Sequence, residues 1–519
     1  MKSQGSSFYG LTVPAGYLLA LLGGGLQLGC GGSTAIVDSG SGGGGGGGSD
    51  ATGAGVESPP KAAGGIRSSG AGGGGTAPDA SASAGAGAPA GGESSTGVAG
   101  APVDGEPTQY PGHGFIVHEW GTDTIVVGSD GSLQRGLHHE EEDLPAFVYD
   151  RLKAAPLLSA PSVNVKMETP VTYFYSDVPL SVQASVKFPQ GLFTQWYPGV
   201  TAFAPEMAAP GAALYPSSPV GYADPVLDVS FPFLSDMCRA KFSAVAGGKL
   251  DWGSVSVLSR GSDVKAALPD APLAKFGWSY ARDVDANPVR IANGETERFL
   301  FYRGLGDFDL PVKVQSGGAR HVALSNAYTQ AVGQVFVLNV GADSAAFTQH
   351  VAGIAPAATL DDVAPSLDAA ASLDDYEAEL GNAVTHALDA TGLYHDEATA
   401  MVNTWKRQWF RTPGVRVLYL VPQAWTDASI PLSVTPSPEA LVRVMLIRVE
   451  VITPEQETSD VAALKAFDTD STLADAHFTA LGRFAEPRLR RALALSPSQS
   501  GDAYLAKIRS ADTAIASGE

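Results

Sequence analysis

Histidine and glutamate side chains that could bind a metal are concentrated in one stretch of the sequence. His113, His118 and Glu119 come first, and His138 and His139 follow beside an acidic run. Imidazole and carboxylate groups together suit zinc or a similar divalent ion, so the pattern predicts a metal site that would serve a hydrolase. On a strand, however, His118 and Glu119 would point to opposite faces. The same residues are therefore also consistent with a hydrogen-bonded strand histidine and an acidic surface loop.

Aromatic and charged side chains provide a second set of candidates, for ligand binding. Exposed tryptophan and tyrosine faces bind sugar rings or peptides, and charged groups inside apolar runs can position a ligand. The alternative interpretation is that the tryptophans belong to the core and that the charges form buried ion pairs. The candidate residues are Trp120, Glu168, Tyr175, Arg303 and Trp425.

The sequence assigns no catalytic residue. It contains no HExxH, GxSxG or CxxC motif and no phosphate-binding GxxxxGK followed by Ser or Thr. These motifs place a metal, a nucleophile or a phosphate cradle at a fixed spacing. Whether the protein is an enzyme therefore stays open at this stage.

The first half of the folded region has the pattern of β-strands. Residues 178–188 alternate apolar and polar side chains, and residues 171–175 are β-branched and aromatic. Residues 114–122 and 123–127 are predicted to form a pair of strands that ends at the turn residues 128–131. Short strands separated by turns are typical of a β-sandwich. Further predicted strands cover residues 253–258, 297–302, 321–325 and 334–340.

The second half adds helices to strands. Helices are predicted at residues 374–390, 396–410 and 471–484, each from an apolar stripe at helical spacing. Residues 415–421 and 441–452 are predicted strands. The predicted fold class is therefore α+β, with a β-rich, sandwich-like N-terminal region and an α+β, partly helical C-terminal region. The predicted segments are a signal peptide (1–29), a tether (30–109), a β-rich domain (110–345), an α+β domain packed on it (346–510) and a flexible tail (511–519).

The N-terminal residues predict where the protein works. An apolar stretch ends at Leu28-Gly29-Cys30, and a long run of Gly, Ala, Ser and Pro follows. This order is typical of a lipoprotein signal, with Cys30 acylated and anchored in a lipid bilayer through several hydrocarbon chains. Gly31 favours the outer membrane of the cell envelope. Such a low-complexity segment cannot bury enough apolar surface to fold, so residues 30–109 are predicted to be a disordered tether.

The charge balance excludes one class of partner. The formal net charge is −21, and the basic residues are not clustered. Nucleic acid is repelled by such a surface, so no nucleic-acid partner is expected. Cys238 is the second of the two cysteines, and it is predicted to be a buried, small apolar side chain.

Several longer motifs resemble those of a known family. The segment VHEWGTDT (117–124) is similar to the VHEWGTFT-like motif of a family of exported bacterial proteins, with Asp123 in place of the usual Phe. The other similar segments are KMETPVTYFYS (166–176), FPQGLFTQWYP (188–198), ERFLFYRGLG (297–306), VLYLVPQAWTDASIPLSVTP (417–436) and LGRFAEPRL (481–489). The resemblance implies one exported unit. It assigns no activity and no role to any residue.

Two functions are compatible with these observations. The first is a membrane-anchored lipoprotein of the cell envelope that acts as a binding or structural module, with an envelope component, a saccharide or a peptide as its ligand. The alternative is a metal-dependent envelope hydrolase that uses the His/Glu cluster around His118 and Glu119.

Overall fold

The structure is a computed structural model that describes residues 108–137, 144–145, 147–151, 163–205, 245–264, 277–318, 320–467 and 469–506. Cys30, Cys238, His138 and His139 lie outside these residues, as do the predicted signal peptide, nearly all of the predicted tether and the predicted tail. In the described part of the chain, the strands form three sheets.

The large sheet takes its strands from nearly the whole described chain, and they are numbered here in chain order. In spatial order, its strands are β17 (Ala371–Ser372), β15 (Ser344–His350), β14 (Val335–Val340), β18 (Gly414–Val421), β20 (Ala440–Val451), β1 (Phe115–Val127), β3 (Val165–Met167), β11 (Leu300–Gly306), β6 (Gly191–Tyr197) and β2 (Tyr149–Asp150). Strand β4 (Val171–Ser176) pairs with both β1 and β11. The sheet therefore joins segments that are distant in sequence.

Strand β1 lies in the middle of this sheet. It pairs in parallel with β20 from Ile116 to Val127, and its other edge pairs first with β4 and then with β3. The predicted division into two strands, 114–122 and 123–127, is wrong. Strand β20 pairs with β1 without interruption through Thr122 and Asp123 as far as Val127, so the segment forms one strand.

Two smaller sheets pack on one face of the large sheet. Their side chains, including Trp252 and Leu324, share a core with Trp196 and Ile447 of the large sheet. The second sheet contains β10 (Thr296–Glu297), β9 (Val289–Ile291), β8 (Gly248–Val257), β5 (Leu180–Phe188) and β19 (Leu432–Thr435), with β7 (Ala202–Ala204) beside β8. The third contains β12 (Val312–Ser316), β13 (His321–Asn326) and β16 (Thr359–Val363).

Helices cover the opposite face of the large sheet. There, Tyr376 and Trp405 pack with Phe336 and Leu446 of the sheet in a second core. The helices on this face are α1 (Leu373–Asp389), α2 (His395–Trp409) and the 3₁₀ helix Gly277–Asp283. Helix α3 (Gln423–Ser429) instead places Trp425 in the core shared with the smaller sheets. Helices α4 (Pro454–Ala466), α5 (Ser471–Thr479) and α6 (Ala485–Leu495) pack together in a separate small core, and a 3₁₀ helix covers Gly482–Phe484. No helix in the described ranges is long and apolar enough to span a membrane.

The predicted fold class is confirmed. The structure is mixed, mostly β, and its helices lie mainly in the C-terminal region. The predicted division between residues 345 and 346 falls inside β15, and strands from both sides of it belong to the large sheet.

The predicted helix at residues 471–484 is shorter in the structure. Helix α5 ends at Thr479, and Gly482 has a φ of +55°, which an α-helix does not accommodate. Its buried side chains are Ala474 and Phe478 rather than the predicted stripe, since Leu473 is 55% exposed. His477 of α5 is partly buried, and its Nε2 lies 2.7 Å from the Asp460 carboxylate.

A buried ion cluster links the large sheet to helix α2. The Glu450 carboxylate accepts hydrogen bonds from Arg416 Nε at 2.5 Å and Arg448 Nε at 2.6 Å, and both arginine side chains are fully buried. Arg416 also donates to the carbonyl of Trp409, the last residue of α2. Burial alone would raise the pKa of Glu450, but the two guanidinium groups hold it at about 2.

Replacing Glu450 with Gln should destabilise the protein by about 3–5 kcal/mol, because two buried arginines lose their counter-charge. The free energy of unfolding from urea titration is the measurement. Asp374→Asn is the matched control, since its side chain is 86% exposed and its pairing with Arg411 contributes at most about 1 kcal/mol. Equal losses in both variants would contradict a structural role for the cluster.

Candidate functional site

Strand β1 presents its two candidate metal ligands to opposite faces of the large sheet. His118 is on the helix-covered face, where it contacts helix α2. Glu119 is on the face that packs on the second sheet, beside its cross-strand neighbours Thr172 and Arg443. The alternation of side chains along a strand imposes this separation.

His118 belongs to a buried cluster with a carboxylate and three tyrosines. Its Nδ1 is 2.7 Å from Oε2 of Glu397, and the Tyr175 hydroxyl donates to Oε1 of the same carboxylate at 2.8 Å. The rings of Tyr394 and Tyr110 pack against His118 and Tyr175, respectively. Burial, and then the Glu397 charge, raises the pKa of Tyr175 well above its usual value, so this tyrosine remains a hydrogen-bond donor.

The first described residues of the chain cover this cluster. The backbone N–H of His395 donates to the Thr108 carbonyl at 3.0 Å, and Thr108 Oγ1 donates to the Leu393 carbonyl at 2.8 Å. Tyr110, which follows, is only 8% exposed. His118 and Glu397 are thereby closed off from solvent, as their exposed side-chain fractions of 3% and 0% show.

Glu119 is held in a second buried cluster on the other face. Arg443 donates from Nε and Nη2 to Oε1 at 2.9 and 2.5 Å, while Thr172 and Tyr302 donate to Oε2 at 2.9 and 2.6 Å. Arg443 Nη1 also contacts Asp427 at 2.9 Å. Each carboxylate oxygen of Glu119 thus has two donors, which explains how a charge is tolerated at 1% exposure.

The candidate metal ligands are therefore not brought together as one set. His113 lies on an exposed turn before β1, and His138 and His139 fall outside the described residues. Among the residues described, no group of three or more His, Cys, Asp and Glu side chains has the arrangement of a metal site. A divalent metal stays a prediction.

The candidate ligand-binding residues are all buried and lie in different parts of the core. Trp120 is on the helix-covered face and Trp425 in the core shared with the smaller sheets. Glu168 pairs with Arg483 at 2.7 Å, and its backbone carbonyl accepts from Arg303 Nε at 2.6 Å. None of the five offers an exposed platform, because each contributes to packing or to a buried hydrogen bond.

A small pocket opens beside Trp120, where the large sheet meets α2 and the 3₁₀ helix Gly277–Asp283. Its wall is almost entirely apolar. The residues that line it are Trp120, Leu144, Pro145, Phe147, Val148, Thr169, Val171, Tyr197, Trp278, Ala281, Glu297, Phe299, Phe301 and Thr404. A concave site lined mainly by aromatic and aliphatic side chains has the composition of small-molecule sites.

The one charged residue in this lining is neutralised by a neighbour. Arg282 donates from Nε to both Glu297 oxygens at 3.1 Å and from Nη2 to Oε2 at 2.5 Å. The Arg282 guanidinium also lies over the Phe147 and Trp278 rings, at 5.5 and 5.2 Å from their centroids. The ion pair therefore adds no net charge to the pocket.

The sequence alone did not predict most of the residues that line the pocket. Of the candidate residues predicted from the sequence, only Trp120 lines it. The alternating aromatics Phe299 and Phe301 indicated a buried strand face but not a cavity beside it. The sequence placed Glu397 in the first turn of a predicted helix, where an acidic side chain interacts favourably with the helix dipole. It gave no sign that Glu397 would contact His118.

Comparison with known proteins gives no functional lead. No protein-family model matches the chain, and no curated protein matches it. Among solved structures, a similarity is found to the yeast delta-COP-I mu-homology domain complexed with a Dsl1 WxWxV peptide. The identity is 7%, the TM-score is 0.22, and the match covers 65% of this chain and 98% of that one. A similarity this distant carries no conclusion about this protein.

Asp123 is an unusual group in strand β1. It is fully buried, and neither carboxylate oxygen has a hydrogen-bond partner among the described residues. Burial, and then the charge of Glu168, raises the pKa of Asp123 to about 8. The side chain is therefore mainly protonated at neutral pH.

The stability of the protein should fall as the pH rises from 5 to 8. The pKa of Asp123 is higher in the folded state than in the unfolded state, so the folded state binds more protons in this interval. The limiting slope is about 1.4 kcal/mol per pH unit. Asp123→Asn should flatten the dependence, as measured by urea unfolding across this range. The exposed control Asp343→Asn should leave it unchanged, and an equally steep dependence in both variants would refute the assignment.

Proposed function

We propose that the protein is a membrane-anchored lipoprotein of the cell envelope that binds a small ligand in the aromatic pocket beside Trp120. The observation that carries the proposal is the pocket itself, whose apolar wall includes six aromatic side chains. These six are Trp120, Phe147, Tyr197, Trp278, Phe299 and Phe301. Burial of apolar surface against such a wall favours binding by about 25 cal/mol per Å² before the entropy of association is subtracted.

The surroundings of the pocket favour a preformed site. Trp120, Val171 and Phe301 project from strands of the large sheet, and Thr404 comes from helix α2. Side chains on regular elements hold a binding geometry more closely than those on loops. Little ordering of the wall would then accompany binding, and less binding free energy is lost to conformational entropy.

Anchoring is the second part of the proposal. Acylation of Cys30 would fix the protein in the outer membrane or another envelope bilayer, and residues 30–109 would hold the folded region away from the lipid surface. The partners are then the bilayer itself and a ligand from the envelope. Nucleic acid is not expected as a partner, given the net charge of −21.

Filling the pocket should weaken binding of an apolar probe. N-Phenyl-1-naphthylamine fluoresces in apolar surroundings, and its titration reports occupancy. Ala281 lines the pocket and is buried, so Ala281→Leu places three extra carbons there and should weaken binding at least about tenfold.

Ala378→Leu provides the control for this substitution. Ala378 is exposed on helix α1, so the same change of side chain should leave probe binding as in the wild type. Thermal unfolding of both variants establishes that they are folded. A folded Ala281→Leu protein that binds the probe as tightly as the wild type would contradict the pocket as the binding site.

Replacing Cys30 with Ser should remove the lipid anchor. The thiol is the group that carries the diacylglyceryl moiety in the predicted pathway, so the variant should not incorporate an alkyne-labelled palmitate and should leave the membrane fraction. Cys238→Ser is the matched control and should label like the wild type. Labelling of the Cys30→Ser chain would overturn the anchor.

A further inference from the structure

Residues 108–114, here called the strap, lead into strand β1 and are held by few contacts. They form neither helix nor strand, and most of them are exposed. Thr108 is attached at the start of helix α2, where its carbonyl accepts from the His395 N–H at 3.0 Å and its Oγ1 donates to the Leu393 carbonyl at 2.8 Å. The predicted tether extends to Gln109, so its last two residues lie within the strap.

Tyr110 is the part of the strap that closes the His118 cluster. Its ring stacks on Tyr175 with 5.5 Å between the centroids and meets Tyr394 edge-on at 6.5 Å. The Arg260 guanidinium lies 5.0 Å from the centroid of the same ring. Tyr175 and Tyr394 in turn border the imidazole of His118, at 5.4 and 4.3 Å between ring centroids. Withdrawal of Tyr110 would therefore uncover one side of the cluster.

The cluster beneath the strap is held by other elements. Oε2 of Glu397 accepts from the Tyr394 N–H at 2.7 Å and lies 2.7 Å from His118 Nδ1, while Oε1 accepts from the Tyr175 hydroxyl. These groups belong to β1, β4 and the start of α2, which strand pairing and the helix-covered core hold in place. Segments with few buried contacts open at a lower free energy than the sheet and helices beneath them. The strap can thus leave while the cluster keeps its geometry.

Two glycines connect the strap to strand β1. Gly112 has a φ of +80° and Gly114 a φ of +83°, on either side of His113. A Cβ at Gly112 would meet no atom within 4 Å, so the backbone conformation rather than lack of space favours glycine there. Such residues at the end of an element can absorb the backbone rotation that accompanies opening of a segment.

We propose that the strap is a releasable cover that controls access to the His118–Glu397 pair. In the open state, Thr108 and Tyr110 are detached, while β1 remains paired with β4 and β20. Opening presents an imidazole whose Nδ1 is held by a carboxylate, an arrangement that orients a histidine for proton transfer. No residue of the strap lines the pocket beside Trp120, so the cover acts independently of the proposed ligand site.

Chemical labelling of histidine tests the cover. Diethyl pyrocarbonate transfers its ethoxycarbonyl group to an accessible imidazole nitrogen, with release of carbon dioxide and ethanol, and peptide mass spectrometry separates the labelled sites. In the full chain, His118 should react at least about 30-fold more slowly than the exposed His113 of the strap. Tyr110→Ala should accelerate labelling of His118 at least about tenfold, because the ring that closes the cluster is lost. Labelling of His321, whose side chain is 46% exposed, should not change.

Tyr504→Ala is the matched control for this substitution. Tyr504 is 1% exposed and belongs to the separate core of helices α4–α6, so the variant loses a buried tyrosine without altering the strap. His118 should then react as slowly as in the wild type. Equal acceleration in both variants, or no acceleration in Tyr110→Ala, would overturn the proposal.

Amide hydrogen exchange of the unaltered chain provides a second test, which does not depend on the folding of a variant. The His395 N–H lies in the first turn of α2, where intrahelical acceptors are lacking, and the Thr108 carbonyl takes their place. This amide should exchange at least about 30-fold faster than the β1 amides, at a rate nearly independent of urea below the unfolding transition. Exchange of His395 and β1 at the same rate and with the same urea dependence would mean that the strap opens only on global unfolding, and would overturn the proposal.

Discussion

The parallel pairing of β1 with β20 is the constraint on which the rest of the structure depends. It aligns Glu119 with Arg443, residues 324 positions apart in sequence, and their ion pair is almost completely excluded from water. The same strand separates two cores, since its alternate side chains enter the sheet-packed face and the helix-covered face. A shift in register would separate Glu119 from Arg443 and leave a buried charge without its partner. Such a loss is strongly destabilising, so the pair fixes the register of both strands.

Buried polar groups on β1 differ in how well the fold satisfies them. The carboxylate of Glu119 has donors on both oxygens, and His118 has the Glu397 carboxylate. Asp123, on the same strand, has neither and remains neutral instead. Burial is therefore matched by hydrogen-bond partners at Glu119 and His118, whereas at Asp123, which lacks them, burial raises the pKa.

The pocket follows from how the helix layer sits on the large sheet. Large aromatic side chains from strands, from the 3₁₀ helix and from the chain before β2 meet at one place and do not fill it. A void lined by aromatic rings forfeits contacts that a ligand can restore. The Arg282–Glu297 pair beside it shows how a charged pair can border an apolar site without making that site suitable for ions.

The sequence by itself determined the fold class and most strands and helices, because periodicity of apolar residues is a local property. Alternation in residues 178–188 and the helical stripe through Tyr376 and Leu380 correspond to observed elements. Only the tertiary structure decided that residues 115–127 form one strand and that Glu397 meets His118, because partners hundreds of residues away impose both. The position of the pocket also follows only from the tertiary structure, because it depends on the space that elements distant in sequence leave between them.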